Sequence, residues 1–306
     1  MNVGQAGGAL LPNADLIVVV DSEVPWFPRN FTPSATTRVV HLGVDPLCVR
    51  YPIRSFPSHL AVPGDTKAAL ELLTAALDAG KPDTAAAQRR RAAVEDFQRE
   101  RRASAAAVLE RSRDAKPISY AWVGACLRDA LPEGAIVVTE LGVAADQLAL
   151  ESPGSLIGVG IGGGLGFGLG ASLGAKLAAP NRTVISTVGD GSYMFGNPTP
   201  FHFVSRSANL PTLTIVCNNN RWHAVDAATR GVYPQGRAAA SDVMPLVELK
   251  PSPEFAKVAE ASDAHARRVD DPADLPRAIE EALAAVHSGR PALLDVRMEH
   301  GQRSQG

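Results

Sequence analysis

The sequence predicts an α/β fold, a mainly parallel sheet flanked by helices. Two observations carry this. Short apolar runs alternate with longer segments of helical periodicity, as in strand–helix–strand units. The runs are continuous rather than alternating, as expected for strands covered on both faces. Composition agrees: apolar residues make up 45% of the 306 and charged residues 20%, enough for a substantial core and against global disorder.

Residues 1–80 read as part of a Rossmann-like domain. Asp15 to Asp21 contains a continuous apolar strand, Thr37 to Leu42 a second broken by Asp45-Pro46, and Ser58 to Val62 a third stopped by Pro63. A helix follows, with Asp65 or Thr66 as N-cap and Leu70, Leu73 and Leu77 as its apolar stripe. Three strands and one helix are few for a doubly wound sheet, so this domain is expected to be partial.

Residues 81–115 read as a helical, charged linker. Lys81-Pro82-Asp83 breaks the preceding helix, and an Ala/Arg/Glu-rich stretch follows. Its arginines (89–91, 99, 101 and 102) are interspersed with Glu95, Asp96, Glu100 and Glu110 and have no aromatic platform, which favours a solvated helix over a nucleic-acid surface.

Residues 116–306 return to the α/β pattern. Ser119 to Leu131 predicts a helix and Ala135 to Thr139 a strand. Pro153 to Ala175 carries no charge and is long enough to span a bilayer, but 10 of its 23 residues are Gly, so it reads as a buried loop entering a tightly packed helix. Thr183 to Val188 and Leu213 to Cys217 are strands, with a helix from about Thr199 to Ala208 between them. Leu275, Ile279, Leu283 and Val286 mark one face of a helix before the last strand, Ala292 to Val296.

With 30 basic and 32 acidic residues, the net charge of −2 points to neither nucleic acid nor an anionic membrane as partner. No secretory signal opens the sequence. Cys48, Cys126 and Cys217 are widely spaced and form no CxxC pair, which suits a reducing, cytoplasmic setting.

The chemistry gathers at two strand ends. Gly189-Asp190-Gly191-Ser192 follows the strand ending at Val188, and Asn218-Asn219-Asn220 follows the strand ending at Cys217. One strand–helix–strand unit joins them, so their carboxyl ends fall together, where ligands of parallel sheets bind. A carboxylate from Asp190 and an amide oxygen from Asn219 suit a hard cation such as Mg²⁺, which takes oxygen ligands and shares them with phosphates. Gly189 and Gly191 allow close backbone approach, and Ser192 adds a hydroxyl; a diphosphate bridged by Mg²⁺ is the natural ligand.

This motif, with Leu210-Pro211 and an apolar strand before Asn218-Asn219, resembles the thiamine diphosphate motif of the acetolactate synthase, benzoylformate decarboxylase and pyruvate decarboxylase superfamily. The resemblance implies a thiamine diphosphate-binding fold over residues 116–306, with Asp190, Asn219 and the carbonyl of Arg221 on Mg²⁺. The Asp190 to Asn219 separation of 29 positions is slightly longer than in the commonest members, and Phe195-Gly196-Asn197-Pro198 can absorb it as a longer turn. Thr139-Glu140-Leu141-Gly142 and the Gly162 to Gly170 loop resemble the domain's upstream loops, with Gly163 and Gly164 at the cofactor. Residues 1–80 resemble the second half of the family's middle domain.

The implied chemistry is that of a lyase or transferase: decarboxylation or carboligation of a 2-oxo acid or aldehyde. The family's pyrimidine-binding domain, which supplies an activating Glu, is not represented, so the chain is expected to turn over weakly or not at all alone. It is expected to form a homo-oligomer or to pair with a separate pyrimidine-domain chain. A noncatalytic or split subunit is one alternative. A nucleotide-binding oxidoreductase is another, since Gly158, Gly160 and Gly163 fit GxGxxG. His223, just after the second cluster, and Glu140, at a strand end, are the candidate catalytic side chains. His41 and His202 read as structural, and Trp222 as either a wall of the site or simple packing.

Overall fold

The computed structural model describes residues 4–80, 83–144, 147–148, 150, 152–160, 163–241 and 243–300. It divides into two compact units, Met1–Arg102 and Ala103–Gly306. Lys81-Pro82 and Gly162 lie outside the described residues.

In the first unit a 3-10 helix, Gly4–Asn13, precedes β1 (Leu16–Val20), β2 (Arg38–Gly43), β3 (Leu60–Pro63), α1 (Thr66–Ala79) and the start of α2 (Thr84–Ser112). The three strands form one parallel sheet in the order β1-β2-β3. Ile17, Val19 and Val39 bury one face with Trp26, whose ring meets Phe31 and Phe56 edge-on at 5.6 and 5.3 Å. The other face of β1 is open: Leu16, Val18 and Val20 are exposed, contrary to the reading of cover on both sides. The run is apolar throughout, but only one of its faces has packing partners among the described residues. Asp65 caps α1 by accepting the Ala68 N–H at 2.8 Å. The stripe Leu70, Leu73 and Leu77 is present and also exposed. α2 buries none of its side chains, and its arginines pair with nearby acids, Arg91 with Glu95 and Arg99 with Asp96.

The second unit continues with α3 (Tyr120–Ala130), β4 (Ile136–Glu140), β5 (Leu156–Gly158), α4 (Phe167–Ala178), β6 (Val184–Gly189), α5 (Asp190–Phe195), α6 (Pro198–Ser207) and β7 (Leu213–Asn218). Then come α7 (His223–Val232), α8 (Arg237–Ala240), α9 (Phe255–Glu260), β8 (His265–Val269), α10 (Leu275–His287) and β9 (Ala292–Arg297). The sheet order is β5-β4-β6-β7-β9-β8, and every pairing is parallel. Helices cover both faces. On one, α3 and α10 pack Val123, Leu127, Ile279 and Leu283 against Ile185, Ile215 and Leu294. On the other, Leu169, Tyr193, Phe201 and Phe255 pack against Val188, Val216 and Leu293. This two-sided cover is why β6 and β7 read as unbroken apolar runs. Their buried hydroxyls are satisfied across the sheet, Ser186 to Thr214 at 3.1 Å.

One further reading needs correction. Pro153 to Ala175 is not a buried loop: Leu156–Gly158 is an edge strand, and Gly158, Val159, Gly160, Gly163 and Gly164 are exposed. The missing side chains of its glycines leave it too little apolar area to anchor inside. Asp190 opens helix α5 directly from β6. No helix among the described residues is long and apolar enough to cross a membrane.

Candidate functional site

Gly189 at the end of β6 lies in register with Cys217 of β7, so Asp190 and the Asn218–Asn220 cluster emerge side by side. The chain reverses its lateral direction between β4 and β6, and Glu140, the last residue of β4, pairs with Val188 there. This places the cluster beside a topological switch point, where parallel sheets bind ligands.

Asp190 is buried, and its Oδ1 accepts the Gly191 N–H at 2.8 Å. Its Oδ2 is buried with no hydrogen-bond partner among the described residues, and so is Ser192 Oγ. Burial pushes the carboxyl up to about 6, opposed by the N–H groups of Gly191, Asn220 and Arg221 that face it. The last two donate elsewhere: Asn220 N–H to Asn218 Oδ1 at 3.2 Å and Arg221 N–H to Asn219 Oδ1 at 3.0 Å. The tight loop this produces puts Asn220 in the left-handed region at φ 56. Asn218 is held from behind by Asp295 Oδ1, which accepts from its Nδ2 at 2.8 Å.

Gly191 is required by its neighbour: a Cβ there would stand 2.4 Å from the Trp222 ring. Trp222 thus walls the loop. Its N–H donates to the Val247 carbonyl at 2.8 Å. The Arg221 side chain turns away to Asp226 at 3.7 Å and Glu248 at 3.5 Å, while its carbonyl accepts the His223 N–H at 2.8 Å. That carbonyl keeps a second lone pair. His223 is half-buried at the start of α7, with Nδ1 unpartnered among the described residues.

Glu140 is not poised for proton transfer. Both of its carboxylate oxygens accept backbone N–H groups, from Gly166 and Gly168, each at 2.6 Å. It therefore ties β4 to the glycine segment at the start of α4. Gly166, at φ +88, sits so close to the end of α5 that a Cβ would lie 2.7 Å from Gly196 Cα. Gly163 and Gly164 are exposed in the turn before it.

His202 donates to or accepts from the Tyr193 hydroxyl at 2.7 Å, and His41 contacts the Pro57 carbonyl at 3.0 Å, so both are structural. The GxGxxG glycines do not lead directly into a helix: Gly158 ends β5, and α4 starts only at Phe167, beyond Gly163. Sequence reasoning missed Tyr120, whose hydroxyl accepts from Asn219 Nδ2 at 3.3 Å across 99 positions of chain. No local pattern signals such a contact. In the first unit, a cavity of about 320 Å³ at the ends of β1 and β2 is lined by Asp21, Glu23, Asp45 and Arg50, among others.

A cation fits the Asp190 cluster. A buried carboxylate with an unpartnered oxygen, a neutral amide oxygen and a nearby carbonyl form the oxygen-only donor set that Mg²⁺ takes alongside phosphates. Among the described residues no three His, Cys, Asp or Glu side chains gather as a metal cluster.

No curated protein sequence matches the chain. Among solved structures, the Rhodococcus jostii RHA1 thiamine diphosphate-dependent 4-hydroxybenzoylformate decarboxylase superposes with a TM-score of 0.69 at 24% identity, over 97% of this chain and 51% of that one. The chain thus spans about half the length of that structure, and the likeness establishes the fold. The sequence profile of the thiamine pyrophosphate enzyme C-terminal TPP-binding domain matches residues 138–296, more than half of the chain, including Glu140, Asp190 and the Asn218–Asn220 cluster. The chain belongs to the thiamine pyrophosphate enzyme family and carries its C-terminal cofactor-binding domain.

Proposed function

We propose that residues 116–306 form the diphosphate domain of a 2-oxo acid decarboxylase or carboligase, binding thiamine diphosphate through Mg²⁺. The observation that carries this is the buried, unpartnered Oδ2 of Asp190 beside the Asn219–Arg221 loop. Asp190, the Asn219 side-chain oxygen and the Arg221 carbonyl would hold Mg²⁺. Gly189, Gly191 and Ser192 would contact the diphosphate, and Gly163 and Gly164 would approach the cofactor from the glycine segment.

When bound, thiamine diphosphate supplies an electron sink for breaking or making a carbon–carbon bond next to a carbonyl. The chain's own residues do the positioning. Asp190 supplies charge, Trp222 closes one side, and the Glu140 clamp fixes the glycine segment relative to β4. His223, with an unpartnered ring nitrogen, is the candidate for proton handling near substrate.

Residues 1–80 are proposed as part of the family's middle domain and residues 81–115 as the linker. A homo-oligomer or a pyrimidine-domain partner would cover exposed apolar side chains such as Leu177, Phe195 and Phe203. The unpaired thiols of Cys48, Cys126 and Cys217 support a cytoplasmic setting.

Calorimetry tests the reading. Thiamine diphosphate should bind in Mg²⁺ and not in a chelator, and Asp190→Ala should abolish the binding. Binding of NAD without metal would overturn the proposal in favour of an oxidoreductase.

A further inference from the structure

Asn219 is held at both ends of its carboxamide. Oδ1 accepts the Arg221 N–H at 3.0 Å, and Nδ2 donates to the Tyr120 hydroxyl at 3.3 Å. The reversed orientation would set two donors, the amide NH₂ and the Arg221 N–H, against each other. The Arg221 N–H is one of those facing the Asp190 carboxylate, so the orientation that satisfies both bonds turns an oxygen to the backbone bordering that carboxylate.

The same sheet that carries Asn219 places Tyr120. Ile118 forms a parallel bridge with Met298, just beyond β9; its N–H donates to the Arg297 carbonyl and its carbonyl accepts the Glu299 N–H, each at 2.9 Å. β9 is the neighbour of β7, with Arg297 opposite Asn218. Ser119 caps α3 by accepting the Trp122 N–H at 3.1 Å, and the Trp122 indole donates to the Pro272 carbonyl at 2.9 Å. The phenol thus reaches Asn219 from a rigid base.

We propose that Tyr120 is a positioning residue of the metal site, whose phenol holds the Asn219 carboxamide with its oxygen presented to the cation. The inference rests on the reading of Asp190 and Asn219 as Mg²⁺ ligands. It carries a signature that a purely structural residue lacks. Mg²⁺ demands near-ideal octahedral geometry, whereas Ca²⁺ accepts irregular coordination. A loosened amide should therefore harm Mg²⁺ binding more than Ca²⁺ binding.

The test is calorimetric titration of Mg²⁺, and separately Ca²⁺, into the full chain at saturating thiamine diphosphate, for the native sequence and Tyr120→Phe. Loss of one neutral hydrogen bond should weaken Mg²⁺ binding by about 3- to 10-fold. Ca²⁺ binding should change less than about twofold, and the metal-free melting temperature should stay within about 2 °C. Equal shifts for both ions, or no shift for either, would overturn the role of Tyr120 while leaving the cofactor site standing. Absence of any metal-dependent binding in the native chain would overturn the functional reading and this inference together. Should Tyr120→Phe melt lower than this, the titrations are run below its melting temperature, and an unchanged preference for Mg²⁺ over Ca²⁺ in the folded variant counts against the proposal.

Discussion

Asp295 shows how one buried acid couples this site to pH. It sits behind the Asn218–Asn220 loop, and burial raises its carboxyl to about 6 against the Asn218 hydrogen bond that lowers it. Its folded pKa lies above the unfolded value of 3.8, so the folded state holds the proton more tightly. The stabilisation is complete below about pH 4 and is lost as pH rises through about 6. Asp295→Asn keeps an oxygen for Asn218 and removes the charge. Urea unfolding should show the variant more stable at pH 8 by up to about 3 kcal/mol and indistinguishable from the native chain near pH 3.5. The same scale marks a limit of sequence reading. Asp190 and Asn219 were legible because Gly-Asp-Gly and Asn-Asn stand at consecutive strand ends. Tyr120 was not, because its role comes from the register between β7 and the extension of β9, which local pattern does not encode.

At the level of elements, two-sided burial made the central strands and α10 readable. Leu275, Ile279, Leu283 and Val286, chosen by helical spacing, are all buried in α10. Peripheral elements were missed for the opposite reason. β8 carries Arg267 and Arg268 at a sheet edge and lacks an apolar run, and the three residues of β5 sit inside a glycine-rich segment. α5 escaped notice because its glycine-bearing first turn has the composition of a loop. Glu140 belongs to this scale, since it joins one element to the next: a strand-end carboxylate that secures the N-terminal turn of α4. Glu140→Gln replaces one acceptor by an NH₂ group facing a backbone N–H. Equilibrium unfolding should register a loss of about 1.5–3 kcal/mol, the value of hydrogen bonds to a charged group.

For the whole molecule, the boundary between the two compact units falls inside α2, at Arg102. That helix buries no side chain and holds together through its own backbone and exposed ion pairs, which contribute little each. Isolated helices of this kind open readily. Brief trypsin treatment should therefore cut first among the arginines between residues 89 and 102. Mass spectrometry should recover residues 103–306 as a resistant fragment, because that unit contains two buried clusters on opposite faces of its own sheet. Early cleavage after Lys176 in α4 or Arg297 of β9 instead would contradict this picture.

The close approach of Trp222 to Gly191 has a practical consequence. The chain has three indoles: Trp26 in the core of the first unit, Trp122 against Pro272 and Trp222 against Gly191. Trp222 borders the Asp190 cluster, so it forms a built-in optical gauge. A change in its emission reads out what binds beside Gly191 without any attached dye.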